Sequence, residues 1–180
     1  MKKKPMQEFL STSIYFLTVL ILVFLTVTYV GQRIEVIGLS MYPTLNDGDS
    51  LLIDKLSYRI SDPKRFDIIS FPYRYEANTF YIKRIIGLPG ERIYINSEGE
   101  IYINGELLKE GYGRETIIDP GRAYEEIQLG DDEYFVMGDN RNNSADSRDP
   151  SVGNIKRDEL IGRVFMRVFP IRNMCIIKHQ

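Results

Sequence analysis

The sequence predicts a mainly β protein that carries one N-terminal transmembrane helix, and three observations support this. Residues 9–32 contain no charged side chain. Short apolar runs separated by Gly, Pro, Asn and Asp follow between residues 34 and 169. No long amphipathic helical pattern interrupts these runs. We therefore expect one membrane anchor followed by an extracytoplasmic β-sheet domain.

The uncharged run of residues 9–32 is long enough to cross a lipid bilayer. As a helix it would span roughly 36 Å, and the hydrocarbon core of a bilayer is about 30 Å thick. Lysines occupy positions 2–4, and Tyr29 stands where an interfacial aromatic residue is expected. The positive-inside rule then predicts that residues 1–8 are cytoplasmic and that residues 33–180 form an extracytoplasmic domain.

A cleaved secretory signal is the alternative interpretation of this segment. Such signals share the basic start, but they have a shorter apolar region that ends in small residues at the cleavage site. Here the run ends in the sequence VTYVG, so Tyr29 would occupy a position that requires a small side chain. The sequence therefore favours a retained anchor.

The domain after the anchor shows the short alternating runs that are typical of β-strands. Asn104-Gly105 between two apolar runs is a strong signal for a two-residue hairpin turn. Residues 96–130 are polar and are expected to form an excursion from the main sheet. The predicted strands are residues 34–37, 50–54, 67–71, 80–86, 92–95, 101–103, 134–137 and 163–169.

Composition excludes several classes of function. The chain has 23 Lys and Arg against 25 Asp and Glu, with no basic block after the anchor, so nucleic acid is not an expected partner. A single cysteine, Cys175, rules out a disulfide within one chain. One cysteine and one histidine, His179, cannot supply a zinc site built from several such ligands. A Ser-His-Asp triad, or a Cys175/His179 pair, would need the chain terminus to fold into a catalytic site.

Ser40 lies in the stretch GLSMYPTLNDGD, which covers residues 38–49, and is either a turn residue or a nucleophile. Pro43 restricts Tyr42 to an extended geometry and so can fix the turn that presents the Ser40 hydroxyl. A serine hydroxyl is a weak nucleophile unless a neighbouring base accepts its proton. The candidate nucleophile therefore needs a base elsewhere in the sequence.

Lys83 is a candidate for that base. Strand alternation places it on one face with Tyr81 and Ile85, so apolar groups flank its ammonium group. Removing an ammonium group from water lowers its pKa, which is what a lysine needs before it can accept a proton. The alternative is a surface lysine whose chain extends into solvent.

A third stretch, residues 137–153, is rich in charged and hydroxyl side chains. One interpretation of this stretch is a solvated loop. The other is a rigid hydrogen-bonded scaffold, because acidic and basic residues lie close together within it. An EF-hand calcium loop is excluded, since Ser144 stands where that loop needs glycine and Pro150 where it needs glutamate.

Four segments together closely resemble the bacterial type I signal peptidases, in the order that this family shows. They are SMYPTL at 40–45, GDSLLIDK at 48–55, YIKRIIGLPGE at 81–91 and GDNRNNSADSR at 138–148. The family comprises membrane-anchored Ser/Lys proteases that remove signal peptides from exported proteins, with a β-sheet domain of the signal peptidase/LexA-like type. The resemblance extends over about residues 35–170. A single anchor before a short domain is similar to the Gram-positive form.

The resemblance implies a role for individual residues of this chain. Ser40 would be the nucleophile and Lys83 the general base. Ser144 would hydrogen-bond the lysine amine and hold it toward Ser40. Asp146 and Arg148 would be a supporting pair. No metal or organic cofactor is implied.

Further roles follow from the same resemblance. Asp139 and Asn140 match the GDN segment of the family and are expected to act as scaffold. Some members place a hydroxyl residue two positions before the nucleophile, where it helps to bind the oxyanion, but this chain has Gly38 there. The oxyanion must then be bound by the Ser40 backbone N–H together with a water or another donor, and Gly38 is a candidate contributor to this oxyanion hole.

The expected substrates are secretory preproteins that have small side chains at the first and third positions before the cut. A substrate peptide must be extended for alternate side chains to enter pockets, so we expect β-type pairing beside the nucleophile. The residues expected to bind substrate are Met41, Tyr42, Pro43, Tyr81 and Ile82.

Three alternatives remain open. A LexA-like self-cleaving protein normally cuts at an Ala-Gly or Cys-Gly bond of its own chain, and this sequence contains neither dipeptide. A catalytically silent, membrane-tethered binding module could use the same scaffold, but Ser40, Lys83 and Ser144 are all present. A structural β protein would leave the co-occurrence of the four segments unexplained.

Overall fold

The computed structural model describes residues 4–25, 31–75 and 79–178. Its first element is helix α1, Lys4–Leu25. Within it, Gln7–Phe24 has a mean hydropathy of 1.6, and none of its side chains is buried in the protein. This helix is therefore long and apolar enough to be a candidate membrane span. Tyr29 and His179 lie outside the described residues.

The described residues after α1 form two antiparallel sheets and a short helix α2, Ser57–Ile60. Short 3-10 turns lie at Gly121–Tyr124, Arg157–Glu159 and Ile171–Asn173. The strands are β1 Gly31–Glu35, β2 Ser50–Asp54, β3 Ile68–Pro72, β4 Phe80–Gly87, β5 Arg92–Ile95, β6 Ile101–Ile103, β7 Glu106–Leu107, β8 Ile127–Gln128, β9 Glu133–Met137, β10 Ile155–Lys156, β11 Gly162–Phe169 and β12 Cys175–Ile176.

The larger sheet has the strand order β1-β2-β11-β3-β4-β9-β10, with β12 paired to β11. Strand β1 pairs only with β2 among the described strands, so its other edge is unpaired. Residues 80–83 of β4 pair with β3, whereas pairing between β4 and β9 starts at Arg84. On its other edge the first half of β4 is not paired with a described strand, and this edge and that of β1 lie at the candidate site.

The smaller sheet has the order β7-β6-β5-β8, and its strands β6, β7 and β8 lie within the predicted polar excursion of residues 96–130. The predicted hairpin turn is confirmed: Asn104 and Gly105 have φ of 53° and 83°, and Ile103 pairs with Glu106. Apolar residues of this sheet, such as Ile93, pack in one cluster with Phe135 of β9. The two sheets therefore share a core.

The predicted fold class is confirmed. Every predicted strand is present, with ends that differ by a few residues at most. The two-residue strands β7, β8, β10 and β12 and the one-turn helix α2 were not predicted, because segments this short carry too few residues to show a hydrophobic period.

Candidate active site

The Ser40 hydroxyl and the Lys83 amine meet at the end of a surface cleft. The distance from Lys83 Nζ to Ser40 Oγ is 2.9 Å, and Nζ also donates to the Ile82 carbonyl at 3.1 Å. The Tyr81 ring lies on the same face of β4, with its centroid 4.8 Å from Nζ. Strand alternation on β4 thus directs the amine to a serine that is 43 positions away in sequence.

Burial changes the acidity of the Lys83 amine. Only 4% of the residue is exposed, and this desolvation lowers its pKa from 10.5 to about 8. The nearby carboxylates of Asp146 and Asp139 act in the opposite direction, since they stabilise the ammonium form. Desolvation is the larger effect, so roughly a tenth of the amine is neutral at pH 7.

Asn140 fixes the backbone around Ser40 from two directions. Its side-chain Nδ2 donates to the Leu39 carbonyl at 3.0 Å, and its backbone N–H donates to the Ser40 carbonyl at 3.0 Å. The Tyr42 N–H also donates to Leu39, at 3.1 Å, and closes the turn. The loop that follows β9 therefore holds the turn that presents the serine hydroxyl.

Asp139 is fully buried in an ion pair with Arg84 of β4. Arg84 Nε and Nη2 donate to the two carboxylate oxygens at 2.8 and 2.7 Å, and both side chains have no exposed surface. Thr44, four residues after Ser40, donates to the same carboxylate at 2.5 Å. This carboxylate thus connects β4, the segment after Ser40 and the loop after β9. The sequence identified Asp139 as scaffold, but it did not identify Arg84 or Thr44.

Asp146 and Arg148 form a second buried ion pair. Arg148 Nε and Nη2 donate to the carboxylate of Asp146, both at 2.9 Å. The same carboxylate accepts the Gly138 N–H at 3.0 Å, and Arg148 also donates to the Arg141 carbonyl. The pair therefore fixes both ends of the loop that carries Asn140.

The predicted hydrogen bond from Ser144 to the lysine amine is absent from this structure. Ser144 Oγ is buried and has no hydrogen-bond partner among the described residues, because Lys83 donates to Ser40 and Ile82 instead. Ser144 is nevertheless close to the site. A Cβ added to Gly138 would lie 2.3 Å from Ser144 Oγ and 2.5 Å from the Ser40 carbonyl oxygen.

The expected oxyanion donors have different surroundings. The Gly38 N–H donates to the Asp47 carboxylate at 2.7 Å, so this group is already engaged. Gly38 has φ of +89°, a conformation that favours glycine. The Ser40 N–H has no hydrogen-bond partner among the described residues. This leaves the Ser40 N–H as an available donor, and the participation of Gly38 stays a prediction.

The cleft has a volume of about 730 Å³ and lies between the two unpaired edges of the larger sheet. Residues 32–41 form one wall, and residues 79–83 form the other. The expected pocket residues Met41, Tyr81 and Ile82 line it. Tyr42 and Pro43 do not line it, and their expected role in substrate binding stays a prediction.

A segment of the excursion, residues 108–119, lies across the loop after β9, and we call it the strap. Glu110 of the strap forms an ion pair with Arg141. The ring of Tyr112 stacks on the Arg84 guanidinium, with 3.5 Å between Cζ and the ring centroid. These contacts were not predictable from the sequence, since nothing in the local pattern of residues 108–119 indicates which residues they contact.

Neither of the two titratable groups near the C-terminus belongs to the site as described. Cys175 is an exposed free thiol in β12. His179 lies outside the described residues. Among the described residues no cluster of three or more His, Cys, Asp or Glu side chains has the geometry of a metal site. A partly buried serine beside a buried lysine amine has the arrangement of a Ser/Lys hydrolase site.

Comparison with known proteins identifies the family. The sequence matches the family described as signal peptidase, peptidase S26, over residues 9–169. A probable signal peptidase I-2 from Synechocystis is 41% identical over 149 residues, covering 80% of this chain and 66% of that protein. Signal peptidase I P from Bacillus subtilis subsp. natto is 36% identical over 162 residues, covering 86% of each. The chain therefore belongs to the peptidase S26 family of signal peptidases.

A solved structure is also similar. The crystal structure of a signal peptidase I from Enterococcus faecalis V583 has 32% sequence identity and a TM-score of 0.47. The similar region covers 58% of this chain and 98% of that one.

Proposed function

We propose that this signal peptidase is a membrane-bound serine endopeptidase that removes N-terminal signal peptides from exported preproteins with Ser40 and Lys83 as its catalytic dyad. The observation that carries the proposal is the 2.9 Å distance between Ser40 Oγ and a buried lysine amine. The lowered pKa of that amine, about 8, suits it to act as a base near neutral pH.

The reaction can be written with the residues of the site. Neutral Lys83 accepts the hydroxyl proton of Ser40 as Oγ attacks the scissile carbonyl. The Ser40 N–H donates to the resulting oxyanion. The Lys83 ammonium then gives its proton to the departing amine, the peptide C–N bond breaks, and an acyl-enzyme remains. Lys83 next takes a proton from water, whose oxygen attacks the ester carbonyl. The ester C–O bond then breaks, Lys83 returns that proton to Ser40 Oγ, and the signal peptide leaves with a free carboxylate. These steps require neither a metal nor an organic cofactor.

The cleft supports an extended substrate. Strands β1 and β4 each present to it an edge that is not paired with another described strand, and an extended peptide can add to a sheet at such an edge. The buried side chains of Val36 and Ile82 lie in its walls close to the dyad. We expect these walls to favour small side chains next to the cut.

Cleavage of a secretory preprotein tests this function. We expect the detergent-solubilised protein to cut after an Ala-x-Ala site, and mass spectrometry of the products identifies the bond. A matched preprotein with Leu-x-Leu should be cut at least ten times more slowly, because a misfit of several methylene groups costs about 1–3 kcal/mol or more. Equal rates would contradict the narrow pocket. Binding without any cleavage would instead favour a catalytically silent binding module.

The pH dependence tests the base. Because only the neutral amine accepts a proton, kcat/KM should rise with pH through an apparent pKa of about 8, well below the 10.5 of a solvated lysine. The measurement is a pH profile between 6 and 10, on a peptide that does not itself titrate there. A profile that stays flat through pH 8 would exclude Lys83 as the base.

The anchor and its orientation are also part of this proposal. Helix α1 is a candidate span, and lysines at positions 2–4 favour a cytoplasmic N-terminus. A protease added outside intact cells should therefore cleave within residues 33–180 but leave residues 1–8 intact. Epitope tags at the two ends report this by immunoblot. Protection of the C-terminal tag and loss of the N-terminal tag would reverse the assignment.

A further inference from the structure

Tyr42 and Arg114 form an exposed pair beside the nucleophile that the mechanism above does not use. The Arg114 guanidinium lies over the Tyr42 ring, with 5.0 Å between Cζ and the ring centroid. Tyr42 is 38% exposed, and Arg114 is exposed. Stacking on an aromatic face orients a guanidinium while its N–H edges stay free to bind a ligand.

The position of this pair is fixed relative to Ser40. The Arg114 N–H donates to the Asp139 carbonyl at 2.9 Å, and the next residue, Asn140, donates to the Ser40 carbonyl at 3.0 Å. Tyr42 follows Ser40 by two positions and is tied to Leu39 by its own N–H. These hydrogen bonds connect the strap to the turn around Ser40. They therefore fix the position of Tyr42 and Arg114 relative to the Ser40 hydroxyl.

The charge of Arg114 is not matched by the protein. Its guanidinium has no hydrogen bond or ion pair with the residues that the structure describes. Three other arginines around the site, Arg84, Arg141 and Arg148, each pair with a carboxylate. Arg114 therefore differs from its neighbours in having donors available to an incoming anion.

The position of Tyr42 and Arg114 also suits contact with the part of the substrate that follows the cleavage site. The cleft is lined by residues 32–41 and 79–83 together with Asn143 and Ala145 and contains both residues of the dyad, whereas neither Tyr42 nor Arg114 lines it. The cleft is expected to hold the substrate residues that precede the cut. The substrate residues after the cut then leave the cleft beyond Ser40, on the side where Tyr42 follows in this protein. The first residues of the mature protein therefore pass the stacked arginine.

We propose that Arg114, stacked on Tyr42, is a specificity-determining residue that binds an acidic side chain among the first few residues after the cleavage site. This inference rests on the proposed function. A planar guanidinium pairs with a carboxylate through two parallel hydrogen bonds. Because Arg114 is exposed, the expected preference for an acidic over a neutral residue is modest, about two- to fivefold.

The test compares preproteins with the same signal peptide and cleavage site but with Asp, Asn or Lys at the second to fourth positions after the cut. We expect the full chain in neutral detergent to show higher kcat/KM for Asp than for Asn. Arg114→Gln should remove this ratio, and Arg114→Glu should favour Lys instead. Added salt should reduce the wild-type ratio, since it screens exposed charges. Arg92→Gln, which changes an exposed arginine of the smaller sheet paired with Glu126, is the matched control and should keep the ratio.

Two results would overturn the proposal. One is an unchanged Asp-to-Asn ratio in Arg114→Gln. The other is a loss of rate in Arg114→Gln that appears only with vesicles of anionic phospholipid and is equal for all three preproteins. That result would mean that Arg114 binds lipid headgroups instead of the preprotein. Cleavage of the Asn preprotein by the wild type separates this inference from the proposed function: if that preprotein is not cut at all, the proposed function itself fails.

Discussion

Ser40→Ala and Lys83→Ala should each reduce kcat/KM by roughly 10³-fold or more, and the double variant should lose little further. The two groups act in one proton transfer, so removing either disables the unit. Single-turnover cleavage of a preprotein by the three variants measures the effect. Losses that multiply in the double variant would show that the two residues act independently and would contradict a dyad.

Three further substitutions serve as controls for that result. Lys83→Arg should be as inactive as Lys83→Ala, because arginine is charged at all accessible pH values and cannot accept the proton. His179→Ala should keep full activity, whereas loss of activity there would indicate a histidine base. Ser144→Ala should have a milder effect than either dyad variant, because its Oγ bonds to neither reacting group here.

Asp139→Ala should lower the free energy of unfolding by about 3–5 kcal/mol. The substitution leaves the Arg84 guanidinium fully buried without its carboxylate, and an uncompensated buried charge is costly. Urea denaturation of the detergent-solubilised protein measures the change. Removing both charges, in an Arg84→Met/Asp139→Leu variant, should recover much of the loss, because replacing a buried pair by apolar residues is often neutral.

An exposed ion pair provides the matched comparison. Arg74 bonds Glu159 at 2.9 Å, but 47% of the arginine side chain is exposed. Glu159→Ala should therefore cost about 1 kcal/mol or less. If Asp139→Ala were as mild as this, the pair with Arg84 would not be the structural centre of the site.

Much of the fold was predictable because it depends on local patterns. The alternation in FYIKRIIG placed Lys83 and Tyr81 on one face, and the Asn104-Gly105 turn fixed a hairpin. Strands such as β10 and β12 were not predictable, since two residues become a strand only when a longer neighbour pairs with them. Sheet order was equally inaccessible from pattern alone, because β11 inserts between β2 and β3 from the far end of the chain.

Residues of the candidate site were predictable where they match segments of the family. They were not predictable where their partner lies far away in the sequence. The loop after β9 was expected to hold opposite charges together, and Asp146 with Arg148 does so. Asp139, however, pairs across 55 positions with Arg84, and local spacing cannot select that partner. Tyr42 was expected to bind substrate, but it does not line the cleft, and its role stays a prediction.

The two hydrogen bonds that Asn140 makes to the Leu39 and Ser40 carbonyls have a consequence for the order of synthesis. The nucleophile and its base leave the ribosome well before the loop that positions them. Until residues 138–148 have emerged and docked, the serine turn lacks its support. We therefore expect a newly made chain to gain activity only after this loop has docked against the turn around Ser40.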